Sequence, residues 1–237
     1  MTSKDAPLLS LNEVRFGWKA GDPDLIRLDH FTLAAGEKVF VSGPSGCGKS
    51  TLLSLIGGVA QPRSGSVEVL GENITTMSTA QRDRFRADHL GIIFQLFNLV
   101  PYLTILENVL LPCRFSPRRR RFAIANSHSL EQEAGRLLEH LELDLAELGR
   151  RPVVELSIGQ QQRVAVARAL IGSPDLIIAD EPTSALDEGS SERFIELLIE
   201  QSDVNGSGII FVSHDQRVAE LFERQIPFES LQATVKT

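Results

Sequence analysis

The amino-acid sequence predicts an α/β fold whose core is interrupted by a helical subdomain. Over residues 1–95, short apolar strands alternate with helix and turn signals. Over residues 96–173 the strand signals thin out and helical patterns dominate. Over residues 174–237 strands return with "LIIAD" and "GIIFVS", nearly continuous apolar runs that are typical of strands buried on both faces of a parallel sheet. We therefore expect one domain, with a core built from the first and third ranges and a helical subdomain from the second.

Each strand of the first range is predicted by a short apolar run between turn residues. The runs are "LLSLNEV", "LIRLDHFTL", "KVFVS", "SGSVEVLG" and "LGIIFQ". The glycine-rich "GPSGCGKS" follows "KVFVS" directly, and "TLLSLIGG" then has the length and the closing glycines of a helix. The chain at this point therefore has the order strand, loop, helix.

The start of a helix is predicted where a serine precedes a glutamine by three residues, the pattern of a capping box. Ser78 with Gln81 and Ser129 with Gln132 both fit this pattern. The second box opens a helix with an amphipathic stripe. The stripe consists of Ala134, Leu137, Leu138 and Leu141.

Composition limits the classes of protein to which the chain can belong. The 237 residues are 42% apolar and 23% charged, as in an ordinary globular protein. The longest apolar runs fall short of the roughly 20 residues that cross a bilayer. "MTSKDAPLL" lacks the features of a secretory signal, and Cys47 and Cys113 are too few for a disulfide framework, so we expect a cytosolic chain. The net charge of −7 argues against broad binding to nucleic acid.

The stretch from Gly43 to Ser50 fits the pattern GxxxxGK[ST] between a predicted strand and a predicted helix. In such a loop the backbone N–H groups surround phosphates, Lys49 reaches the outer phosphates, and the Ser50 hydroxyl is placed to bind Mg²⁺. A simple glycine turn with a surface lysine is the alternative, and the flanking elements argue against it. For Cys47 the two interpretations are a small filler residue and a thiol whose alkylation blocks the site. The predicted nucleotide-binding loop consists of Gly43, Pro44, Ser45, Gly46, Cys47, Gly48, Lys49, Ser50 and Thr51.

Polar residues follow three predicted strands of the core. Asp180 and Glu181 end "LIIADE", and because side chains alternate along a strand we expect them to have different roles. Asp180 suits a water-mediated contact with Mg²⁺, whereas Glu181 is the candidate that polarises the attacking water. Gln95 and His214 also follow strands, where ligands of open α/β sheets bind. An ordinary acidic turn, or a structural Gln or His, is the alternative in each case, but the phosphate loop favours the catalytic interpretation.

These motifs together resemble the ATP-binding cassette (ABC) family over nearly the whole chain. The motifs that carry the resemblance are "GPSGCGKS", Gln95, "LSIGQQQR", "LIIADE", "SALD" and "VSHD", in the family's order. "FQLFNLVPYLTILENVLLP" resembles the branch that includes the lipoprotein-releasing, macrolide-export and cell-division ATPases. The resemblance implies a phosphate-loop ATPase core with a helical subdomain that carries the signature "LSIGQ". It also implies two copies paired head to tail around two ATP molecules.

The family pattern assigns further roles to residues of this sequence. Ser157, Gly159 and Gln160 would contact the γ-phosphate of the ATP bound to the partner copy, because the helix that follows directs its positive N-terminus there. Asp187 in "SALD" would cross the interface. The family pattern also implies that Gln95 links Mg²⁺ to the membrane-side partner and that His214 holds the γ-phosphate.

Two positions in these motifs call for separate predictions. Ile158 stands where many family members have glycine, so we expect it at negative φ with its side chain away from the phosphate. The signature should then still work, with Gly159 as the position that tolerates no change. For the aromatic residue that the family stacks on adenine, Trp18 is our first choice and Phe16 the second. An exposed aromatic at a strand end is the alternative.

The basic run and the C-terminal end supply two weaker expectations. The run from Arg118 to Arg121 lies in the helical subdomain, and a solvated face is the default interpretation. The sharper hypothesis is contact with anionic lipid or with a membrane partner. After His214 the chain lacks the strand-turn-strand ending of many relatives, so we do not expect regulation through a C-terminal domain.

The resemblance predicts an ATPase subunit that dimerises on ATP and drives a separate membrane permease from the cytoplasmic face of the inner (plasma) membrane. The branch favours export or extraction of lipid, lipoprotein or peptide-like cargo over import. A soluble ABC ATPase acting on DNA is the main alternative, but such chains usually carry a long coiled coil, which this sequence lacks. Translation-associated ABC proteins join two cassettes, and a plain phosphate-loop kinase has no use for "LSIGQQQR" and "SALD".

Overall fold

The computed structural model describes residues 6–144, 151–184, 186 and 188–232. Its fold is α/β, as predicted, and its strands form two sheets. An antiparallel sheet has the order β2-β1-β4-β5. Its strands are β1 (Leu9–Phe16), β2 (Ile26–Leu33), β4 (Ser64–Val69) and β5 (Glu72–Asn73). A parallel sheet has the order β6-β7-β8-β3-β9. Its strands are β3 (Lys38–Ser42), β6 (Leu90–Ile93), β7 (Leu176–Asp180), β8 (Gly208–Ser213) and β9 (Arg224–Pro227).

Eight α-helices occur in the described residues, and four of them lie in a helical region between β6 and β7. In chain order they are α1 (Lys49–Ile56), α2 (Thr79–His89), α3 (Ile105–Phe115), α4 (Pro117–Ser127), α5 (Leu130–His140), α6 (Ile158–Leu170), α7 (Glu188–Asn205) and α8 (Phe228–Leu231). Helix α6 packs against both α3 and strand β6. It therefore links the helical region to the sheet, and the boundary at residues 96–173 stays a prediction.

The parallel sheet separates two hydrophobic cores, because its side chains alternate between its faces. Phe40, Ile177 and Phe211 point into the core that helices α3, α5, α6 and α7 share. Their neighbours Val41 and Ile178 point into the other core, with α1 and the antiparallel sheet. Burial on both faces explains why "LIIAD" and "GIIFVS" are continuous apolar runs. It also fixes the strands rigidly, so that the loops at their carboxyl ends hold fixed positions.

The capping predictions are confirmed in one case and half confirmed in the other. Ser78 and Gln81 form a complete capping box at the start of α2. Ser129 accepts a hydrogen bond from the backbone N–H of Gln132, but between these two described residues the side chain of Gln132 makes no return bond. A further complete box, between Thr104 and Glu107 at the start of α3, was not predicted although "TILE" has the required spacing.

The interpretation of the basic run as a solvated face is wrong for its first half. Arg119 is buried and donates hydrogen bonds to the backbone carbonyls of Ala169 and Ile171. Arg118 is half-buried and forms an ion pair with Asp175 at 2.9 Å. A helix distributes four consecutive side chains around its axis, so two of them face the core although the sequence run is uniformly charged.

None of the helices described here combines the length and the apolar character needed to cross a bilayer.

Candidate active site

The phosphate loop joins the end of β3 to the start of α1. Gly46 and Gly48 have φ values of 79° and 115°, a region that side chains strongly disfavour. A Cβ at Gly48 would also lie 3.1 Å from Cζ of Phe228. No side chain of the residues that the structure describes caps α1, which leaves N–H groups of its first turn for phosphate oxygens.

Lys49 extends over the loop from the first residue of α1. Its side chain is 4% exposed, and its Nζ donates hydrogen bonds to the carbonyl oxygens of Gly43 and Pro44 at 2.8 and 2.9 Å. The same Nζ lies 3.3 Å from Oε1 of Glu181. The lysine charge is therefore held at the mouth of the loop. Its ammonium group contacts the Glu181 carboxylate as well as the two loop carbonyls.

Glu181 contacts two other predicted site residues, Lys49 and His214. Its Oε2 lies 3.0 Å from Nδ1 of His214, so one carboxylate contacts both the lysine and the histidine. Its backbone has φ of 44°, unusual for a non-glycine residue, and its N–H donates to the carbonyl of Val212. Asp180 and Glu181 have different partners, and their different roles stay a prediction. Strand β7 ends at Asp180, and the left-handed backbone, rather than strand alternation, turns Glu181.

Asp180 faces the hydroxyl of Ser50, which donates a hydrogen bond to its Oδ1 at 3.0 Å. Burial raises the pKa of the Asp180 carboxyl above its usual value, against the opposing effect of that hydrogen bond. A hydroxyl, a carboxylate and the amide oxygen of Gln95 are hard oxygen donors of the kind that Mg²⁺ prefers. The hydrogen bond between Ser50 and Asp180 holds both oxygens at the phosphate loop, where Ser50 would bind Mg²⁺ directly and Asp180 through a water.

A cavity of about 320 Å³ brings several of the predicted residues together. It is lined by Trp18, Leu25, Ser45, Gly46, Gly48, Lys49, Ser50, Thr51, Gln95 and Glu181. Trp18 is 63% exposed at this cavity, whereas Phe16 is buried beneath it with its ring 5.0 Å away, edge to face. Of the two aromatic candidates, only Trp18 presents a ring that a base can reach. Gly43, Pro44 and Cys47 belong to the loop but do not line the cavity.

Gln95 lies two residues beyond the end of β6, in a loop that helix α6 holds. Arg168 of α6 donates hydrogen bonds to the carbonyl oxygens of Phe97 and Asn98. These two residues have positive φ values of 58° and 48°. Burial lowers the pKa of the Arg168 guanidinium, which is 9% exposed. Sequence reasoning missed this contact, because nothing local to either segment marks it.

The signature residues lie apart from this cavity in the single chain. Ser157 and Gln160 form a capping box: Ser157 Oγ accepts from the Gln160 N–H at 3.3 Å, and the Gln160 side chain accepts from the Ser157 N–H at 3.0 Å. Ile158 is the first residue of α6, is 55% exposed and has no positive φ, as predicted. A separate cavity of about 200 Å³ is lined by Ser157, Gly159 and Gln160, among others. Asp187 lies outside the described residues.

Gln162 is a residue of the signature helix that the sequence did not single out. It is fully buried, and its Nε2 donates to the carbonyl of Pro182, directly after Glu181, at 2.6 Å. Its Oε1 is buried and has no hydrogen-bond partner in the part of the chain that the structure describes. The third glutamine of "GQQQ" thus connects the signature helix to the segment after the acidic pair.

A phosphate loop after a strand of a parallel sheet, with carboxylates at the end of another strand of the same sheet, defines a phosphate-loop nucleoside triphosphatase. The sequence profile of the family described as ABC transporter matches residues 27–184. The chain belongs to the ABC transporter family and is an ATPase of that family.

Relatives and solved structures are consistent with this assignment. The ABC transporter ATP-binding protein MJ0796 of Methanocaldococcus jannaschii is 39% identical over 225 residues, which are 92% of each chain. The dimeric, post-hydrolysis structure of MJ0796 bound to ADP and Pi is similar with a TM-score of 0.77 and 33% identity, over 92% of each chain.

Two larger export proteins are also similar. The macrolide export ATP-binding/permease protein MacB of Shigella flexneri is 37% identical over 222 residues, which are 93% of this chain and 33% of that protein. The probable syringafactin export protein SyfD of Pseudomonas syringae is 39% identical over 92% of this chain and 32% of its own length. The chain thus spans about a third of the length of these two relatives.

Proposed function

We propose that this chain hydrolyses ATP in a head-to-tail pair with a second copy and so drives a separate membrane permease at the cytoplasmic face of the inner membrane. One observation carries the hydrolytic part of this proposal. The carboxylate of Glu181 contacts both Lys49 and His214 at the mouth of the phosphate loop. In this way the lysine, the carboxylate and the histidine converge where the γ-phosphate of a bound ATP would lie.

ATP binding uses the loop and its lysine. The N–H groups at the start of α1 and the positive end of that helix bind phosphate oxygens. Lys49 exchanges its contact with Glu181 for one with the outer phosphates, which releases the carboxylate to face water. Trp18 stacks on the adenine, since its ring is exposed at the same cavity. Ser50, Asp180 and Gln95 would hold Mg²⁺, which supplies charge neutralisation to the phosphates when it is bound.

Hydrolysis requires positioning more than strong basicity. Glu181 accepts a hydrogen bond from the attacking water and orients it toward the γ-phosphorus. His214, 56% exposed at its side chain, turns from Glu181 to the γ-phosphate. The left-handed backbone of Glu181 is a local strain of the kind that the rest of a fold maintains at functional sites.

A second copy is needed because the signature does not line the ATP cavity of its own chain. Helix α6 directs its N-terminus outward from Ser157 and would present it to the γ-phosphate of the partner's ATP. Gly159 leaves room for close approach, because among the described residues only Leu186 Cδ2, at 4.0 Å, lies within 4 Å of an added Cβ. The dimeric MJ0796 structures, one of them bound to ADP and Pi, support the pairing of two copies. Asp187 would contribute to the same interface.

The permease has a candidate docking surface in an apolar groove of about 380 Å³ between α2, β6 and α3. Phe94 and Phe115 line it and are 39% and 70% exposed. Arg168 and Asn98 line its floor, so a permease segment in the groove would press on the loop that carries Gln95. The export proteins MacB and SyfD support a permease partner and an export direction. Lipid, lipoprotein or peptide-like molecules are the proposed cargo, and the alternative function on DNA is not favoured.

Steady-state ATP hydrolysis and ATP binding by Glu181→Gln test the hydrolytic assignment. We expect kcat to fall by about a hundredfold or more while the Kd for ATP changes by less than about threefold, because positioning of the water is lost but the phosphate loop is intact. Asp29→Asn, which removes an exposed carboxylate elsewhere, should retain full activity. Full hydrolysis by Glu181→Gln would show that another group orients the water.

Copurification of the chain from native membranes tests the proposal that it binds a membrane permease. We expect a permease to be recovered with the wild-type chain and to be lost with Phe94→Asp and Phe115→Asp, since charges in the groove oppose apolar docking. Recovery of DNA-associated proteins alone would favour the alternative function.

A further inference from the structure

The run from Arg118 to Arg121 divides into an anchoring half and an exposed half. Arg119 is 3% exposed, and its guanidinium donates only to backbone carbonyls, among them those of Ala169 and Ile171 at the end of α6. Burial lowers the pKa of Arg119 to about 10, which leaves it charged at neutral pH. Arg118 pairs with Asp175. These contacts hold α4 rigidly on the fold.

The rest of the α3–α4 corner carries arginines that form no ion pair with any described residue. Arg114, Arg120 and Arg121 are exposed, and none of them forms an ion pair within the described parts of the chain. Residues 108–130 contain five arginines and no Asp or Glu, although the whole chain has a net charge of −7. Asp175, a carboxylate near the start of α4, is already paired with Arg118 and His89.

Apolar side chains stand between these charges. Phe122 is 43% exposed and Ile124 is 39% exposed. Ile124 follows Arg120 by one helical turn and therefore shares its side of α4. We call Arg114, Arg120, Arg121, Phe122 and Ile124 the arginine surface. Unpaired arginines interleaved with apolar side chains are the composition of surfaces that lie in a membrane interface.

We propose that the arginine surface binds anionic lipid headgroups directly, with the guanidinium groups on phosphates and with Phe122 and Ile124 at the boundary of the acyl chains. A lipid surface fits better than an acidic protein segment, because these side chains project from an exposed helix and none of them lines the groove proposed for the permease. The surface is continuous with that groove through Phe115, next to Arg114. Only this last point rests on the proposed function.

The expected loss of membrane binding can be calculated from the contribution of each arginine. A basic residue near an anionic membrane strengthens binding about fivefold, or about 1 kcal/mol. Removing two of the three charges should therefore weaken binding about twentyfold or more. The attraction is screened by salt over a Debye length of about 10 Å at 0.1 M, so it should largely disappear at high ionic strength.

Cosedimentation of the nucleotide-free chain with lipid vesicles tests the proposal. We expect binding to vesicles that contain phosphatidylglycerol, little binding to pure phosphatidylcholine vesicles, and about a twentyfold loss for Arg120→Gln/Arg121→Gln. Arg27→Gln/Arg193→Gln is the matched control, because it removes the same charge from side chains elsewhere that are 38% and 45% exposed. ATP hydrolysis by both double variants should equal that of the wild type, which separates this proposal from the proposed function.

A fluorescent reporter provides the second readout. Trp18 is the only tryptophan, so Ile124→Trp in a Trp18→Phe chain reports on this surface alone. We expect a blue shift of its emission on addition of the anionic vesicles. Equal binding by the two double variants, or no binding by the wild type, would overturn the proposal. So would arginine-dependent binding to the assembled permease in detergent without any binding to vesicles, since the surface would then be a protein interface.

Discussion

At the scale of single residues, Ile158 and Gly159 show what the isolated chain does and does not constrain. Ile158 starts α6 with its side chain 55% exposed, so a β-branched residue fits there without strain. Within the described ranges, a Cβ on Gly159 would meet only Leu186 Cδ2, at 4.0 Å. The described residues of one chain therefore restrict neither position. Any requirement for glycine must therefore come from what approaches the signature from outside, which in our proposal is the partner's ATP.

Gly159→Ala, introduced into the Glu181→Gln chain, should fold normally but lose ATP-dependent pairing. The fold has room for the methyl group, whereas a phosphate held against the backbone does not. Urea denaturation should show a midpoint close to that of the parent, and the mass in solution with Mg-ATP should stay that of a monomer. Ile158→Ala is the matched control and should still pair. Pairing by both variants would contradict the assigned role of Gly159.

At the scale of elements, α6 connects two parts of the site that are distant in sequence. Its N-terminus carries the signature, Gln162 bonds the segment after Glu181, and Arg168 holds the loop after Gln95. The helix rises about 1.5 Å per residue, so Ser157 and Arg168 are about 16 Å apart along it. Movement of α6 would therefore displace the signature and the Gln95 loop together.

Arg168→Met should loosen the Gln95 loop. The carbonyls of Phe97 and Asn98 lose their donor, and both residues depart from favoured backbone conformations without compensation. We expect faster hydrogen exchange of the Phe97 and Asn98 amides and at least a tenfold lower kcat, with the Kd for ATP unchanged. Arg168→Lys, which keeps the charge but cannot reach both carbonyls equally well, should be intermediate. Unchanged exchange and kcat in Arg168→Met would show that the loop does not depend on this contact.

Glu133 on α5 makes a pH-dependent contribution to stability. Burial acts to raise its pKa, but hydrogen bonds from Arg136 and Ser127 outweigh this, so that the pKa of Glu133 is lowered. The stabilisation is therefore present above the unfolded pKa of about 4.3 and is lost as the pH falls through the folded pKa. Glu133→Gln should lower the free energy of unfolding by about 2 kcal/mol at pH 7, with a smaller difference in strong acid.

Urea denaturation at several pH values checks this prediction. Glu131→Gln, on the exposed side of the same helix, should change stability by less than about 0.5 kcal/mol. A Glu133→Gln deficit that stays the same from pH 7 to acid would exclude the ionised carboxylate as its source.

At the scale of the whole molecule, the sequence predicted what is local and missed what the fold brings together. The phosphate loop, the strand ends and the Ser78 cap are each specified within a few residues, so their positions were predictable. The bond from Arg168 to Phe97 spans 71 residues in sequence, and no local pattern indicates it. Likewise, the uniform basic run did not indicate that Arg119 is buried and bonded to the end of α6. Its burial depends on which side of α4 packs against that end.

The central claim is that ATP joins two copies of this chain through their signatures, and the mass of Glu181→Gln in solution tests it most directly. With Mg-ATP, we expect the mass of a dimer, because hydrolysis is blocked and both nucleotides remain in place. Without nucleotide, or with Mg-ADP, we expect a monomer. A chain that binds Mg-ATP and yet remains monomeric would contradict the claim for the isolated chain and would show that this signature does not engage a partner's ATP by itself.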